Sequence, residues 1–270
     1  MGILNVTPDS FSDDGKFYAK EQAIEQALRM ESEGADIIDI GGESTRPGSE
    51  GVTIEEELRR LLPVLGGMRR VLKIPISIDT QKAEVAEAAI EAGAQIINDI
   101  SGLRRDARIA DVAAKYGVPL ILMHMRGEPR TMQKGPFPRD VMKDVLQGLR
   151  RSVAMALEAG VAKSQIIIDP GIGFGKSFAQ NYEVLHELPQ LAKLGFPLLV
   201  GTSRKGFLGA TLARDGKPAP PEERIWGTAA TVTASILNGA HIVRVHDVTE
   251  MTQVARAADC VLDPKLAPRN

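Results

Sequence analysis

The chain has 270 residues, of which 43% are hydrophobic and 25% are charged, and its formal net charge is −2. This charge gives no basic surface of the kind that nucleic acid or an anionic membrane selects. No apolar run approaches the roughly 20 residues that span a bilayer, and no secretory signal precedes the first strand. The single cysteine, Cys260, cannot form an internal disulfide, which suits a reducing compartment. We therefore expect a cytoplasmic protein with small-molecule partners, no nucleic acid and no membrane.

Eight short apolar runs alternate with segments of helical spacing along the chain. Most of these runs end in a polar or charged cluster, such as Asp79 after the third run and Asp169 after the sixth. Runs of four to six residues rich in Ile and Val predict strands that are buried on both faces. The predicted strands are 2–6, 36–40, 75–79, 95–100, 119–123, 165–169, 197–201 and 242–245. The predicted helices are 20–33, 54–72, 83–92, 107–116, 140–159, 178–194, 221–238 and 248–258.

This alternation predicts an α/β protein of a specific architecture. Eight strand and helix units in one domain of this length indicate a (β/α)8 TIM barrel, whose active site lies at the carboxyl ends of the strands. We expect a single domain over residues 1–270, with residues 263–270 as a frayed tail.

Several common catalytic motifs are missing from the sequence. The segment DPGIGFGKS lacks the first glycine of a P-loop, because Pro170 occupies that position, and Lys176 occupies the third glycine position of a dinucleotide motif. No H-E-x-x-H pair, cysteine cluster or G-x-S-x-G elbow is present. Tightly held zinc and a serine nucleophile are therefore not expected.

Three polar residues lie at the carboxyl ends of the third, fourth and sixth predicted strands: Asp79, Asn98 and Asp169. A single carboxylate at a strand end commonly caps the next helix or pairs with a lysine. Three such groups that face one mouth instead favour a ligand with several donors, because a buried carboxylate needs partners. A heterocycle with adjacent N–H groups would satisfy them in bidentate fashion.

A second polar cluster follows the last two predicted strands. Lys205 follows strand seven, and Arg244 and His246 alternate at the end of strand eight. A lysine in the first turn of a helix is usually solvated, but the corresponding loops of barrels often bind phosphate. Asn5 and the Ser, Thr and Asp residues after it are by default turn formers, although hard oxygen ligands near a phosphate also suit Mg²⁺. The sequence therefore predicts an anion site here, and the oxygen ligands at Asn5 are compatible with magnesium as a cofactor.

The strand-end motifs together resemble those of the dihydropteroate synthase family. The matching segments are MGILNVTPDSFSDDG, GGESTRPG, SIDT, INDISG, LMHMRG, DPGIGFGK, GTSRKGFLG and VRVHDV, which span nearly the whole chain. The resemblance implies a transferase of folate biosynthesis and sulfonamide target. This enzyme would join 6-hydroxymethyl-7,8-dihydropterin diphosphate to 4-aminobenzoate, forming 7,8-dihydropteroate and pyrophosphate.

The resemblance also implies roles for individual residues, with Lys205, Arg244, His246 and Asp79 as the catalytic set. The implied pterin pocket consists of Asp79, Asn98, Asp169 and Lys205, with Met123 against the ring. The implied diphosphate site consists of Asn5, Arg244 and His246, with Asn5 as the protein ligand to Mg²⁺. The implied aminobenzoate site consists of Phe11, Ser12 and Asp13 in the first loop, Thr45, Arg46 and Pro47 in the second, and Phe174 and Ser203 as further walls.

The sequence departs from the family pattern in three places. Asp14 stands where a glycine is usual in the first loop, and Gly206 replaces a common serine after the SRK motif. The N-terminal hairpin usual in the family does not precede the first strand. We expect Asp14 to alter the kinetics of the first loop, and Gly206 to alter contacts to the aminobenzoate carboxylate.

Two rival functions and the oligomeric state stay open at this stage. A methyltetrahydrofolate-dependent methyltransferase has a similar pterin pocket but needs neither the diphosphate cluster nor the STRPG loop. A non-catalytic pterin-binding protein would be expected to have lost Lys205, Arg244 or the loop residues, and all are present. Members of the family that the sequence resembles commonly form homodimers through helix faces, so a homodimer is possible here.

Overall fold

Strands and helices alternate along the chain as the sequence predicts. The structure is a computed structural model that describes residues 1–6, 16–44, 51–128, 131–133 and 135–268, without the side chains of 16–19. In these ranges the strands are β1 (Gly2–Asn5), β2 (Ile38–Gly41), β3 (Ile76–Asp79), β4 (Ile96–Asp99), β5 (Leu120–Met123), β6 (Ile166–Asp169), β7 (Leu199–Val200) and β8 (Ile242–Val243). The helices are α1 (Lys16–Ser32), α2 (Ile54–Val71), α3 (Ala83–Ala92), α4 (Arg108–Tyr116), α5 (Val141–Glu158), α6 (Phe178–His186), α7 (Leu188–Ala192), α8 (Gly206–Thr211), α9 (Ile225–Leu237) and α10 (Val248–Leu262). Short 3₁₀ helices occupy Lys163–Gln165, Pro221–Arg224 and Pro264–Leu266.

The strands form a ring in sequence order. Strands β1 to β6 pair in parallel with each nearest neighbour, and β7 pairs in parallel with β8. Two parallel bridges join these sheets, one between Ile168 and Leu198 and the other between Gly2 and Val245. At the second bridge the Ile3 N–H donates to the Val245 carbonyl at 3.0 Å. The predicted (β/α)8 barrel is confirmed, and the carboxyl ends of all eight strands meet at one mouth.

Each strand presents alternate side chains to two different environments. One set, which includes Ile38, Ile78 and Ile168, belongs to the large apolar core that also contains residues of the surrounding helices. The other set, which includes Ile121 and Leu199, forms a smaller cluster with Met1 and Ile96. The polar residues Asp39, Ser77, Asn98 and Asp169 share the alternation of this second set, so they point into the barrel.

The structure differs from the predicted elements at the seventh strand and its flanking helices. The single helix expected at 178–194 is two helices, because Pro189 cannot donate the backbone N–H that a continuous helix needs. An additional helix, α8, follows β7 in a segment for which no helix was predicted. Strands β7 and β8 are two residues each, shorter than predicted.

Two further findings concern the helices and the end of the chain. Among the described helices, none is both long and apolar enough to cross a membrane. In the segment expected to fray, Asp263 accepts from the Lys265 N–H at 3.1 Å and caps the last 3₁₀ helix. Residues 269–270 lie outside the described ranges, so the frayed tail stays a prediction.

Candidate active site

Four polar side chains converge inside the barrel mouth: Asp39, Asp79, Asn98 and Arg244. The Arg244 Nε donates to Asp39 Oδ2 at 2.6 Å, and its NH2 donates to Asp79 Oδ2 at 2.8 Å. The Asn98 amide donates to Asp39 Oδ2 at 3.0 Å. Arg244 therefore lies between the carboxylates of two strands, and three of its five N–H donors remain for other partners.

Burial dominates the electrostatics of this cluster. It raises the pKa of Asp79 to about 7, although the nearby Arg244 guanidinium acts in the opposite direction. The Asp39 side chain is completely buried, and its Oδ1 has no hydrogen-bond partner. The Ser77 hydroxyl, on the residue paired with Asp39 across β2 and β3, is likewise buried and unpartnered. A carboxylate held in this way needs donors from a ligand or from its neighbours.

Asp169 and Lys205 lie on the opposite side of the mouth. Asp169 Oδ1 accepts from the Gly171 N–H at 2.7 Å, and burial raises the pKa of this carboxyl. The Lys205 amine lies 4.1 Å from the centre of the Phe174 ring. Burial lowers the pKa of Lys205 to about 8, while Asp169 acts to raise it. Lys205 is half-buried, because Gly173 and Phe174 of the loop after β6 pack against it.

Met123 and Phe174 form an apolar wall beside these charges. Met123 ends β5 and is buried with Ile100, Met125 and Met132, and Phe174 packs against this cluster. The sulfur-containing side chains are flexible and polarisable, so they can adapt to a flat ring. The mouth thus combines carboxylates, amide and amine groups with one apolar surface.

The second predicted cluster lies where β1 and β8 meet. The Ser203 hydroxyl accepts from the His246 N–H at 3.1 Å and lies 3.0 Å from His246 Nδ1. Burial, with help from Arg244, lowers the pKa of His246 to about 4, so the ring is neutral near pH 7. Asn5 and Arg204 line the same cleft as His246, and its volume is about 570 Å³. Arg204 is bound by Asp247, with its Nε 3.0 Å from Oδ2.

The donor set at Asn5 fits magnesium only as a metal held jointly with a ligand. Among the described residues no group of three His, Cys, Asp or Glu side chains could enclose an ion. The half-buried Asn5 amide offers a single hard oxygen beside His246. Mg²⁺ usually keeps several waters and binds through one or two protein groups plus substrate phosphates, which agrees with this arrangement.

Six of the predicted site residues lie outside the described ranges. These are Phe11, Ser12 and Asp13 of the first loop, and Thr45, Arg46 and Pro47 of the second. The structure brings the other predicted residues to one mouth, in the two groups described above.

The sequence analysis assigned no role to two buried charged residues that support this mouth. Asp39 belongs to the polar cluster of the second apolar run, but its bonds to Asn98 and Arg244 join strands that are far apart in the sequence. Lys176 was considered only as a mismatch to a glycine motif. It is 1% exposed, and its amine donates to the Gly171 carbonyl at 2.8 Å.

Comparison with known proteins gives the family. A model of the family described as "Pterin binding enzyme" matches residues 1–246. The dihydropteroate synthase of Synechocystis sp. is 51% identical over 261 residues, which cover 97% of this chain and 89% of that protein.

Solved structures agree with this match. The Xanthomonas albilineans dihydropteroate synthase with 4-aminobenzoic acid has a TM-score of 0.88 and 42% identity, and the match covers 99% of this chain and 93% of that chain. The same enzyme in complex with 7,8-dihydropteroate has a TM-score of 0.86 and 40% identity, with the same coverage. The chain therefore belongs to the pterin binding enzyme family, as one of its dihydropteroate synthases.

Proposed function

We propose that the mouth of this barrel joins 6-hydroxymethyl-7,8-dihydropterin diphosphate to 4-aminobenzoate. The bond between the exocyclic methylene carbon and the diphosphate oxygen breaks, and the arylamine nitrogen bonds to that carbon. Pyrophosphate takes the electron pair of the broken bond, and the arylamine loses one proton. The observation that carries this proposal is the position of Arg244, which binds the carboxylates of Asp39 and Asp79 and lies close enough to His246 to help lower its pKa.

The carboxylate-lined pocket suits the pterin ring. Asp79 and Asp169 supply acceptors for ring N–H groups, and the Asn98 amide supplies both a donor and an acceptor. Burial makes these groups expensive to leave unpaired, so a ligand without matching donors is rejected. Met123 covers the apolar face of the ring.

The leaving diphosphate would lie across Arg244 and His246. The free N–H donors of Arg244 can stabilise the charge that develops on the leaving oxygen. A neutral His246 presents a hydrogen bond rather than a fixed charge, and a nearby phosphate would raise its pKa. When bound at Asn5, Mg²⁺ would supply Lewis-acid neutralisation of the diphosphate.

The arylamine site requires orientation more than base catalysis. A neutral arylamine already has a free electron pair, and the electron-rich pterin can delocalise positive charge on the methylene carbon. Phe174, Ser203 and the stem of Lys205 are proposed to hold the arylamine at the methylene. Phe174 and Lys205 already pack against each other, with the Lys205 amine 4.1 Å from the ring centre, so together they can orient a bound arylamine.

The two rival functions account for fewer of these groups. A methyltetrahydrofolate-dependent methyltransferase leaves the cluster of Asn5, Arg244 and His246 without a ligand. A non-catalytic pterin-binding protein leaves the buried amine of Lys205 without a role.

Binding measurements on two matched variants test the division of the site. Asp169→Asn keeps the shape but turns an acceptor into a donor, so we expect pterin affinity to fall at least about tenfold while pyrophosphate affinity changes little. His246→Ala should have the opposite pattern. Calorimetry with each ligand on each variant measures both effects. Equal losses of both ligands in either variant would contradict the two-part site.

A further inference from the structure

Lys176 is a buried cation that the proposed reaction does not use. It follows the loop after β6, and with 1% exposure it is the largest fully buried side chain among the described residues. Taking an ammonium group out of water is costly unless hydrogen bonds replace the lost hydration. The partners of Lys176 therefore indicate what its burial accomplishes.

Backbone carbonyl groups surround the Lys176 amine. It donates to the Gly171 carbonyl at 2.8 Å and the Phe174 carbonyl at 3.2 Å, and it lies 3.5 Å from the His124 carbonyl. The loop from Gly171 to Gly175 contains three glycines with positive φ, and the Phe174 N–H donates to the Gly171 carbonyl at 3.1 Å within it. Buried carbonyl groups need partners, and the lysine supplies them from inside the loop.

The His124 ring completes the coordination of this amine. Its Nδ1 lies 3.2 Å from the Lys176 amine, and its Nε2 lies 3.5 Å from Asp144 Oδ2. A protonated lysine has donors only, so Nδ1 must be the acceptor and the ring proton must lie on Nε2, facing Asp144. Burial lowers the pKa of His124 to about 4, in agreement with this neutral ring.

The loop that Lys176 holds forms part of the mouth. The Gly171 N–H donates to Asp169 at 2.7 Å, and the Gly173 N–H donates to Asn181 at 2.6 Å. The ring of Phe174 lies against the Lys205 amine, and a side chain on Gly173 would meet Lys205 Cδ at 2.7 Å. Because the loop is packed this closely, a shift of its backbone would also move the Phe174 ring.

We propose that Asp144, His124 and Lys176 form a positioning relay that fixes the loop of residues 170–175 and thereby holds the Phe174 ring in place for the arylamine substrate. None of the three residues is assigned a contact with substrate. The relay rests on the proposed role of Phe174 as a wall of the arylamine site.

The relay depends on the charge of Lys176. Burial lowers the pKa of Lys176 to about 7; Asp169 and Asp144 act to raise it, while Lys205 and Arg104 act to lower it. When the amine loses its proton, it keeps two donors for the acceptors that surround it. Efficiency with the arylamine should therefore decline as pH rises through this range. The pKa of Lys205 is shifted mainly by burial, and the charged groups that act on it are Asp169, Arg244 and Asp79. Because Asp144 is not among them, a change at Asp144 distinguishes the two lysines.

The decisive variant is Asp144→Asn, because Asp144 is partly exposed and lies outside the mouth. Removing its charge should move the alkaline decline of kcat/KM for 4-aminobenzoate to lower pH by about half a unit. Lys176→Met should raise the KM for 4-aminobenzoate about tenfold, with a smaller change in the KM for the pterin diphosphate. Lys163→Met is the matched control, since Lys163 also lies near a phenylalanine ring, that of Phe196, but is exposed. It should leave both constants unchanged.

The outcomes separate the relay from the proposed function. An unshifted alkaline decline in Asp144→Asn overturns the relay, as does an unchanged KM for 4-aminobenzoate in folded Lys176→Met. If Lys176→Met does not fold, the pH profile of Asp144→Asn decides alone. A wild-type protein that does not use 4-aminobenzoate at all overturns the proposed function instead.

Discussion

Asp39 bonds to two groups that face the barrel mouth, the amide of Asn98 and the guanidinium of Arg244, through the same carboxylate oxygen. Its other oxygen is buried without a partner. Because Asp39 is fully buried, it can act on a ligand through Arg244 and Asn98. Its importance should therefore appear in ligand affinity as well as in stability.

Asp39→Asn is expected to reduce both turnover and pterin affinity. The amide oxygen still accepts a hydrogen bond, but it has no negative charge to pair with Arg244. Loss of a charged hydrogen bond costs about 1.5 to 3 kcal/mol, which is roughly a tenfold to hundredfold loss in affinity or turnover. Steady-state kinetics and calorimetry measure the two losses. Ser77→Ala, which alters the neighbouring buried residue on β3, is the matched control and should have little effect. Similar losses in both variants would mean that any change beneath the mouth disrupts it.

Sequence reasoning identified the residues at strand ends more readily than those that orient them. Asp79 and Asp169 stand out because each ends an apolar run. The bond between Arg244 and Asp39 joins positions 205 residues apart, so it depends on barrel closure and has no local signal. Lys176 was missed because a buried lysine resembles a surface lysine in sequence.

At the scale of elements, a buried ion cluster ties the end of β2 to α2 and α3. The Lys82 amine binds the carboxylates of both Glu43 and Glu57, and the Thr80 hydroxyl donates to Glu57 at 2.8 Å. Glu57 is 1% exposed, whereas the other charged residues of its helix are at least partly exposed. Two carboxylates in this environment need the lysine, since each would otherwise be buried without a cation.

Lys82→Met is expected to lower the free energy of unfolding by about 3 to 5 kcal/mol, because it leaves buried carboxylates unpaired. Lys115→Met is the control, since Lys115 pairs with the exposed Glu87 at 2.7 Å and such pairs contribute little. Denaturant titration of both variants at pH 7 makes the comparison. Equal stability of the two variants would show that the cluster is not a structural tie.

Helices with continuous amphipathic spacing were predicted closely, whereas short or broken elements were not. The bounds of α3 agree with the prediction at both ends, and Gly93 ends this helix with a left-handed φ of 116°. The break between α6 and α7 follows from Pro189. The apolar spacing continues across this proline, so it predicted one helix where there are two. The helix α8 has six residues, too few to give a periodic pattern.

At the scale of the whole molecule, buried histidines link stability to pH. Burial lowers the pKa of His124 in the folded chain to about 4, below the ordinary value of 6.5. The unfolded chain therefore binds a proton first as pH falls, and the contribution of His124 to stability is fully present above pH 6.5 and is lost towards pH 4. Burial raises the pKa values of Asp79, Asp99 and Asp169, so these carboxyls contribute in the opposite sense.

His124→Asn isolates one of these opposing contributions. The variant should be less stable than the wild type at pH 7.5, and this difference should shrink by on the order of 2 kcal/mol at pH 5. Denaturant titrations of both proteins at the two pH values give the difference directly. A difference that does not change with pH would mean that His124 titrates alike in the folded and unfolded chains.

The account depends most on the claim that one barrel mouth binds both substrates and couples them. The direct measurement is the amount of pyrophosphate and of 7,8-dihydropteroate formed from the pterin diphosphate, with and without 4-aminobenzoate. We expect one pyrophosphate for each dihydropteroate, and release that is much slower without the arylamine. Pyrophosphate released at the same rate in both cases, with no dihydropteroate formed, would contradict the account.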